Sequence, residues 1–332
     1  MSEKKIKWGV ISTAKIGWEK VIPGIQKSEN NEVVAIGSPN HEFAQKISKD
    51  LNIARAYDSY EAVLADEEVE AVYIPLPNHI HVQWGMKALE AGKHVLCEKP
   101  LSMDYDEGKQ LVDASKNYPN QKLMEAFMYR FHPQWLKVKE LLAVDSIGEV
   151  RSVHTHFSYF NTDPNNIRNR PEVGGGALMD IGCYCISFPR FALEEEPITV
   201  QATIERDPEM KTDRMTSAIL GFSDDKTATF TCSTQLKPYQ RCFIHGRDGH
   251  IEIEIPCNAP IDVPCKVWLR TKEHEELFET EIADQYTCQA DAFANCIRND
   301  EDMTYHLNDM LGNMKVIDAV VKSASEGVVV KL

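Results

Sequence analysis

No stretch of this chain approaches the roughly 18 consecutive apolar residues that a membrane-spanning helix requires. The opening segment, MSEKKIKWGVIS, also lacks the long apolar core of a secretory signal. Neither a membrane partner nor export is therefore expected. The chain has no CxxC pair, and its nine cysteines are odd in number and irregularly spaced; Cys183 and Cys185 stand too close for the usual paired zinc spacing. A disulfide scaffold and a cysteine-held metal are both excluded, leaving a reduced, cytoplasmic protein with buried thiols and no metal as the expectation. Basic residues are scarce relative to acidic ones, 36 against 51, for a formal charge of −15. With no basic stripe to offset that field, nucleic acids and anionic membrane surfaces are poor partners. No internal repeat and no low-complexity linker interrupts the chain.

What remains is ordinary globular material, 43% apolar and 26% charged over 332 residues, a length that favours two domains. Through residue 127 short apolar runs alternate with helical patterns. Strands are predicted over 6–12, 32–38, 71–76, 94–98 and 122–127, with helices over 42–51, 79–91 and 105–116. Continuous rather than alternating apolar strands imply a parallel sheet covered on both faces, a doubly wound α/β domain over 1–127. Beyond that point the rhythm changes. A helix is predicted over 133–142, a strand over 150–159, a loop over 161–175 and a helix over 177–188. Successive strand patterns follow between 198 and 278, with a hairpin turn at Arg247-Asp248-Gly249 in which Gly249 would take a positive φ. Helices near 287–298 and 307–323 close the chain. Residues 128–332 thus read as an α+β domain with a mainly antiparallel sheet.

The first strand runs into Ser12-Thr13-Ala14-Lys15-Ile16-Gly17, with a helix starting near Ile16. A strand-turn-helix of this kind aims backbone N–H groups and a positive helix end at a diphosphate. Of the G-x-G-x-x-G fingerprint only Gly17 survives, small Ser12 and Ala14 standing for the first two glycines, so this segment alone also fits a turn without a ligand. The second strand ends in Gly37-Ser38-Pro39-Asn40-His41, without the carboxylate that takes ribose hydroxyls in NAD-preferring sites. Ser38, Asn40 and His41 would tolerate a 2′-phosphate, which favours NADP over NAD. The arginine that often holds that phosphate is missing as well.

Later segments are more specific. Glu98-Lys99-Pro100 follows the strand H-V-L-C, where open α/β sheets bind ligands. The run from Gly174 to Tyr184, GGGALMDIGCY, opens a helix on which Asp180 and Tyr184, four apart, share a face. Together with PLPNHIH at 75–81 and EAFMYRFHP at 125–133, these motifs resemble the Gfo/Idh/MocA oxidoreductase family over nearly the whole chain.

The resemblance implies a Rossmann domain followed by a mainly antiparallel sheet whose open face often joins dimers or tetramers. It also implies a small sugar or polyol substrate, and places Leu76, Pro77, Asn78, His81 and Glu98 along the dinucleotide. Lys99 would lie by the nicotinamide and the substrate hydroxyl, where an ammonium can stabilise negative charge on the reacting oxygen. Some members carry histidine at the position of Tyr184 and others tyrosine, as here. A phenol normally titrates near about 10, so Tyr184 needs a cation nearby to move a proton at neutral pH. Asp180 would orient the substrate, Tyr184 or Lys99. Arg130 and Arg168 are candidates for substrate or cofactor contacts, with a solvent-facing ion pair as the alternative for each. His154 and His156 alternate on one strand and read as structural. A non-catalytic dinucleotide-sensing regulator of the same fold is the rival reading, although Lys99 and Tyr184, which such a protein can dispense with, are both present.

Overall fold

The computed structural model describes residues 4–332. Its N-terminal apolar runs pair as one parallel sheet: β1 (Ile6–Ile11), β2 (Asn31–Gly37), β3 (Arg55–Tyr57), β4 (Ala71–Ile74), β5 (His94–Cys97) and β6 (Leu123–Glu125). The spatial order is β3-β2-β1-β4-β5-β6. The winding therefore reverses between β1 and β4, the switch point where doubly wound sheets open a ligand crevice beyond the carboxyl ends of their strands. Helices α1 (Ile22–Lys27), α2 (His41–Asp50), α3 (Tyr60–Ala65), α4 (His81–Glu90) and α5 (Tyr105–Ser115) connect the strands. Covered on both faces, Trp8, Val10, Ile11, Val72, Tyr73, Ile74, Val95 and Leu96 are fully buried. β3 and α3 have no counterpart among the predicted elements, because so few residues carry no readable period.

The second sheet has nine strands: β7 (Val150–Phe160), β8 (Thr199–Arg206), β9 (Asp213–Gly221), β10 (Thr227–Ser233), β11 (Gln235–Gly246), β12 (Gly249–Ile253), β13 (Lys266–Thr271), β14 (Glu275–Glu279) and β15 (Val330–Lys331). Their order is β14-β13-β12-β11-β7-β10-β9-β8-β15. All neighbours are antiparallel except β7 and β10. Helices α6 (Pro133–Ala143) and α7 (Cys183–Leu193) pack on this sheet. Period-two alternation on β7 buries Val153, Thr155 and Phe157 and leaves His154 exposed. A groove of about 480 Å³ lies on the sheet, lined in part by His154, His156, Thr229, Thr231, Arg241 and Phe243. His154 Nδ1 lies 2.5 Å from Thr229 Oγ1, in keeping with a structural part.

Two expectations need correction. The hairpin of β11 and β12 forms, with His245 opposite His250, but Gly249 is not among the glycines with positive φ. It sits inside β12, where an added Cβ would lie 2.5 Å from the Arg270 carbonyl oxygen, so close strand approach is what requires glycine there. The second correction concerns the domains. Contacts divide the chain into Met1–Met128 with Asp284–Leu311, and Tyr129–Ala283 with Gly312–Leu332, so the second domain does not run unbroken from 128. Helix α8 (Gln285–Arg298) packs in the first unit, its Phe293 ring 5.6 Å from that of Trp8. Just beyond it, Lys122 Nζ reaches Asp300 Oδ1 and the Glu301 carbonyl at 2.7 Å each. An apolar helix face announces that it will be buried, not which core receives it. The break between units falls within α9 (Thr304–Glu326).

Candidate functional site

In the first unit the predicted cofactor residues gather at the carboxyl edge of the parallel sheet. The turn after β1 enters a helix over residues 15–27 that contains a π-turn at Gly17–Val21. Ser12 holds the place of the first fingerprint glycine and takes φ 137°, a conformation normally left to glycine. Its hydroxyl offsets that strain by accepting the Ala14 N–H at 2.9 Å. Ile16 lies in the first helical turn, where the Gly17 N–H already meets the Ala14 carbonyl at 2.9 Å, and a helix start of this kind suits a diphosphate. Thr13 Oγ1 and Ser38 Oγ, from neighbouring strand ends, lie 3.2 Å apart. Ser38 is buried and accepts the Asn40 N–H at 3.1 Å, while exposed Asn40 caps α2 by accepting the Phe43 N–H at 3.1 Å.

After β4, buried Leu76 leads into Pro77 and a single 3-10 turn at Asn78–Ile80. After β5, Glu98 accepts the phenol of buried Tyr73 at 2.6 Å through one oxygen and the Lys99 N–H at 3.3 Å through the other. That bidentate hold fixes the backbone from which Lys99 projects, half-buried, at the sheet edge. This donor set, at a switch point lined by small residues and helix N–H groups, fits a dinucleotide.

His81 departs from its expected place along the cofactor. It is wholly buried, with Nδ1 2.9 Å from the Pro100 carbonyl and Nε2 2.6 Å from the Leu76 carbonyl. Burial pushes its pKa down to about 4 against the opposing pull of those carbonyls. The ring therefore joins the loops after β4 and β5 and lies beneath the site surface.

In the second unit the glycine run feeds a helix whose first stretch, Leu178–Gly182, is a π-turn continuing into α7. Such widened turns concentrate at functional sites. Asp180 Oδ2 accepts two hydrogen bonds, from Tyr159 Oη at 2.6 Å and Arg168 Nε at 2.9 Å. Burial and the Asp180 carboxylate both push the Tyr159 phenol far above its ordinary pKa, so it stays a donor. Tyr184, 5% exposed, sits among the rings of Tyr129, Phe157 and Phe188, with centroids 6.2 to 6.3 Å away.

Arg168 thus belongs with Asp180 by direct contact. Arg130 turns inward instead, donating from Nη2 to Ser187 Oγ at 2.6 Å and from Nε to Tyr129 Oη at 3.3 Å. Tyr159 and Tyr73 are absent from the sequence-level candidates. For Tyr159 a signal exists, since it shares β7 parity with buried Val153, Thr155 and Phe157. Tyr73 carries none, being one more apolar position in a four-residue strand.

Comparison with known proteins agrees with both units. Residues 6–127 match the oxidoreductase family with an NAD-binding Rossmann fold, and residues 135–252 match the GFO/IDH/MocA C-terminal domain. An uncharacterised oxidoreductase of Rhizobium meliloti is 41% identical over 97% of this chain and 98% of its own. An NADP(+)-dependent D-xylose 1-dehydrogenase of Haloferax volcanii is 35% identical over 98% of this chain and 99% of its own. Among solved structures, a 3-ketoreductase from Actinomadura kijaniata in complex with NADP and TDP-benzene aligns with a TM-score of 0.91 at 30% identity, covering 96% of this chain and 98% of the ketoreductase.

Proposed function

The chain belongs to the GFO/IDH/MocA oxidoreductase family, and on that premise we propose that it exchanges a hydride between NADP or NAD and a hydroxyl- or carbonyl-bearing carbon of a sugar, polyol or cyclic diol. The nicotinamide, when bound, supplies hydride exchange at its C4. Lys99 hydrogen-bonds the reacting oxygen and stabilises the negative charge it develops. Tyr184 passes the hydroxyl proton, and Asp180, held by Tyr159 and Arg168, orients the groups around it. The observation that carries this reading is the placement of Lys99 directly after β5, beside the switch point, with its backbone tied through Glu98 to Tyr73.

NADP is the favoured cofactor within this proposal, because β2 ends on Ser38 and Asn40 rather than a carboxylate that would repel a 2′-phosphate. A homodimer or homotetramer through the second sheet is part of the same reading. Exposed Ile219 and Tyr239, on the groove-bearing part of that sheet, support it. The deciding experiment is a panel of aldoses, inositols and diols with each cofactor, followed at the nicotinamide absorbance. Cofactor-dependent turnover of a polyhydroxylated substrate is the expected result. Dinucleotide binding without turnover across the panel would replace this reading with a sensor.

A further inference from the structure

The glycine turn that launches the helix of Asp180 and Tyr184 is held by a side chain from a distant strand. Asp213, at the start of β9, is 7% exposed, and its Oδ2 accepts the Leu178 N–H at 2.7 Å and the Thr216 hydroxyl at 3.0 Å. Its other oxygen lies so close to Gly176 that a Cβ there would stand 1.8 Å from it. Gly176 also takes φ 128°, so both space and backbone demand glycine. The same residue ties the local network together. Its N–H donates to the Arg168 carbonyl at 2.8 Å, and its carbonyl accepts the Asp180 N–H at 3.0 Å. Arg168 in turn holds the Asp180 carboxylate.

We propose that Asp213 is a positioning residue for the reaction, its buried carboxylate locking Gly176 and Leu178 so that Asp180 and Tyr184 are presented in one fixed register. The inference rests on the functional reading given above. A carboxylate at the entry of a helix is favoured by the N–H groups it meets there, and its negative charge strengthens those bonds. Burial opposes this and pushes its pKa up to about 6, against the lowering pull of the Leu178 N–H, Thr216 and Arg206. Tyr159 from β7 and Cys232 from β10 are the other titratable groups that feel its charge, and both remain protonated at neutral pH. The anionic lock is therefore present above pH 6 and lost below it.

The test compares the pH dependence of kcat from pH 5 to 8 in the wild type, Asp213→Asn and Thr216→Val, with the dinucleotide Kd measured alongside by fluorescence. Wild-type kcat should fall as the pH drops through about 6 while Kd holds. Thr216→Val removes one bond to the carboxylate, so the acid limb should move up by roughly half to one pH unit. Asp213→Asn, which mimics the protonated lock, should lose about tenfold in kcat at pH 8 and show no limb near 6. Identical limbs in wild type and Thr216→Val overturn the proposal, as does wild-type kcat in a folded Asp213→Asn protein. If Asp213→Asn does not fold, as judged by circular dichroism, the Thr216→Val limb alone decides. Tyr184→Phe is run in parallel: turnover surviving in that variant condemns the catalytic reading itself, whereas its loss beside an unchanged Asp213→Asn condemns only this inference.

Discussion

Tyr159 donates a 2.6 Å hydrogen bond to Asp180, joining the middle strand of the second unit's sheet to the helix that carries Tyr184. The bond is charge-assisted and its donor is largely buried, so it holds the carboxylate more firmly than a surface contact would. Tyr159→Phe keeps the ring and deletes the hydroxyl, leaving Arg168 Nε still bonded to that oxygen. Turnover should fall about tenfold, near 1.4 kcal/mol in the barrier, with circular dichroism unchanged. Unaltered kcat would show that Asp180 needs no such anchor.

Lys99→Ala tests the charge at the sheet edge. Removing a donor from a developing oxyanion costs on the order of 10²- to 10³-fold in kcat. Dinucleotide affinity, measured by fluorescence titration, should stay within a few-fold, because Glu98 and the Tyr73 bond that fixes the local backbone remain. Surviving turnover would remove Lys99 from the chemistry.

Cofactor choice is tested at Asn40, which is exposed and caps α2. Aspartate caps a helix as well as asparagine does, so Asn40→Asp changes charge without disturbing the fold. With NADP, kcat/KM should drop roughly tenfold through repulsion of the 2′-phosphate, while the value with NAD holds. Equal effects on both cofactors would move the phosphate site elsewhere.

Stability should depend on His94. Its Nδ1 accepts the Lys122 N–H at 3.0 Å, which requires an unprotonated nitrogen, and burial followed by the Lys122 charge pushes its pKa down to about 4. An unfolded chain protonates this ring near about 6.5, so the unfolded state binds the proton first as pH falls. The contribution is complete above pH 6.5 and is lost progressively toward pH 4, amounting to roughly 2–3 kcal/mol. Melting followed by circular dichroism should show that decline in the wild type and a shallower one in His94→Asn.

Much of the candidate site was legible because the proposed chemistry travels in contiguous motifs. E-K-P and the glycine run each bring backbone demand and reactive side chain together within a few residues, so Lys99, Asp180 and Tyr184 could be singled out before any coordinates. His81 misled for a related reason. A histidine beside such a motif reads as accessible, and only packing shows that both its nitrogens meet backbone carbonyls. Asp213 stands 37 residues beyond Gly176 in a strand with no distinguishing pattern, so nothing local marks it.

The order of strands and helices, the parallel character of the first sheet and the antiparallel character of the second were determined by the chain itself, through the periods of its apolar residues and the chemistry of its turns. Those are short-range properties, set by each residue and its near neighbours. Tertiary structure alone decided that α8 joins the first unit through Phe293 and Trp8, that Arg130 turns inward while Arg168 meets Asp180, and that a remote carboxylate fills the space Gly176 leaves. Each of these is a pairing between segments far apart in sequence, and such pairings are selected by complementary volume and charge once the whole chain has closed upon itself.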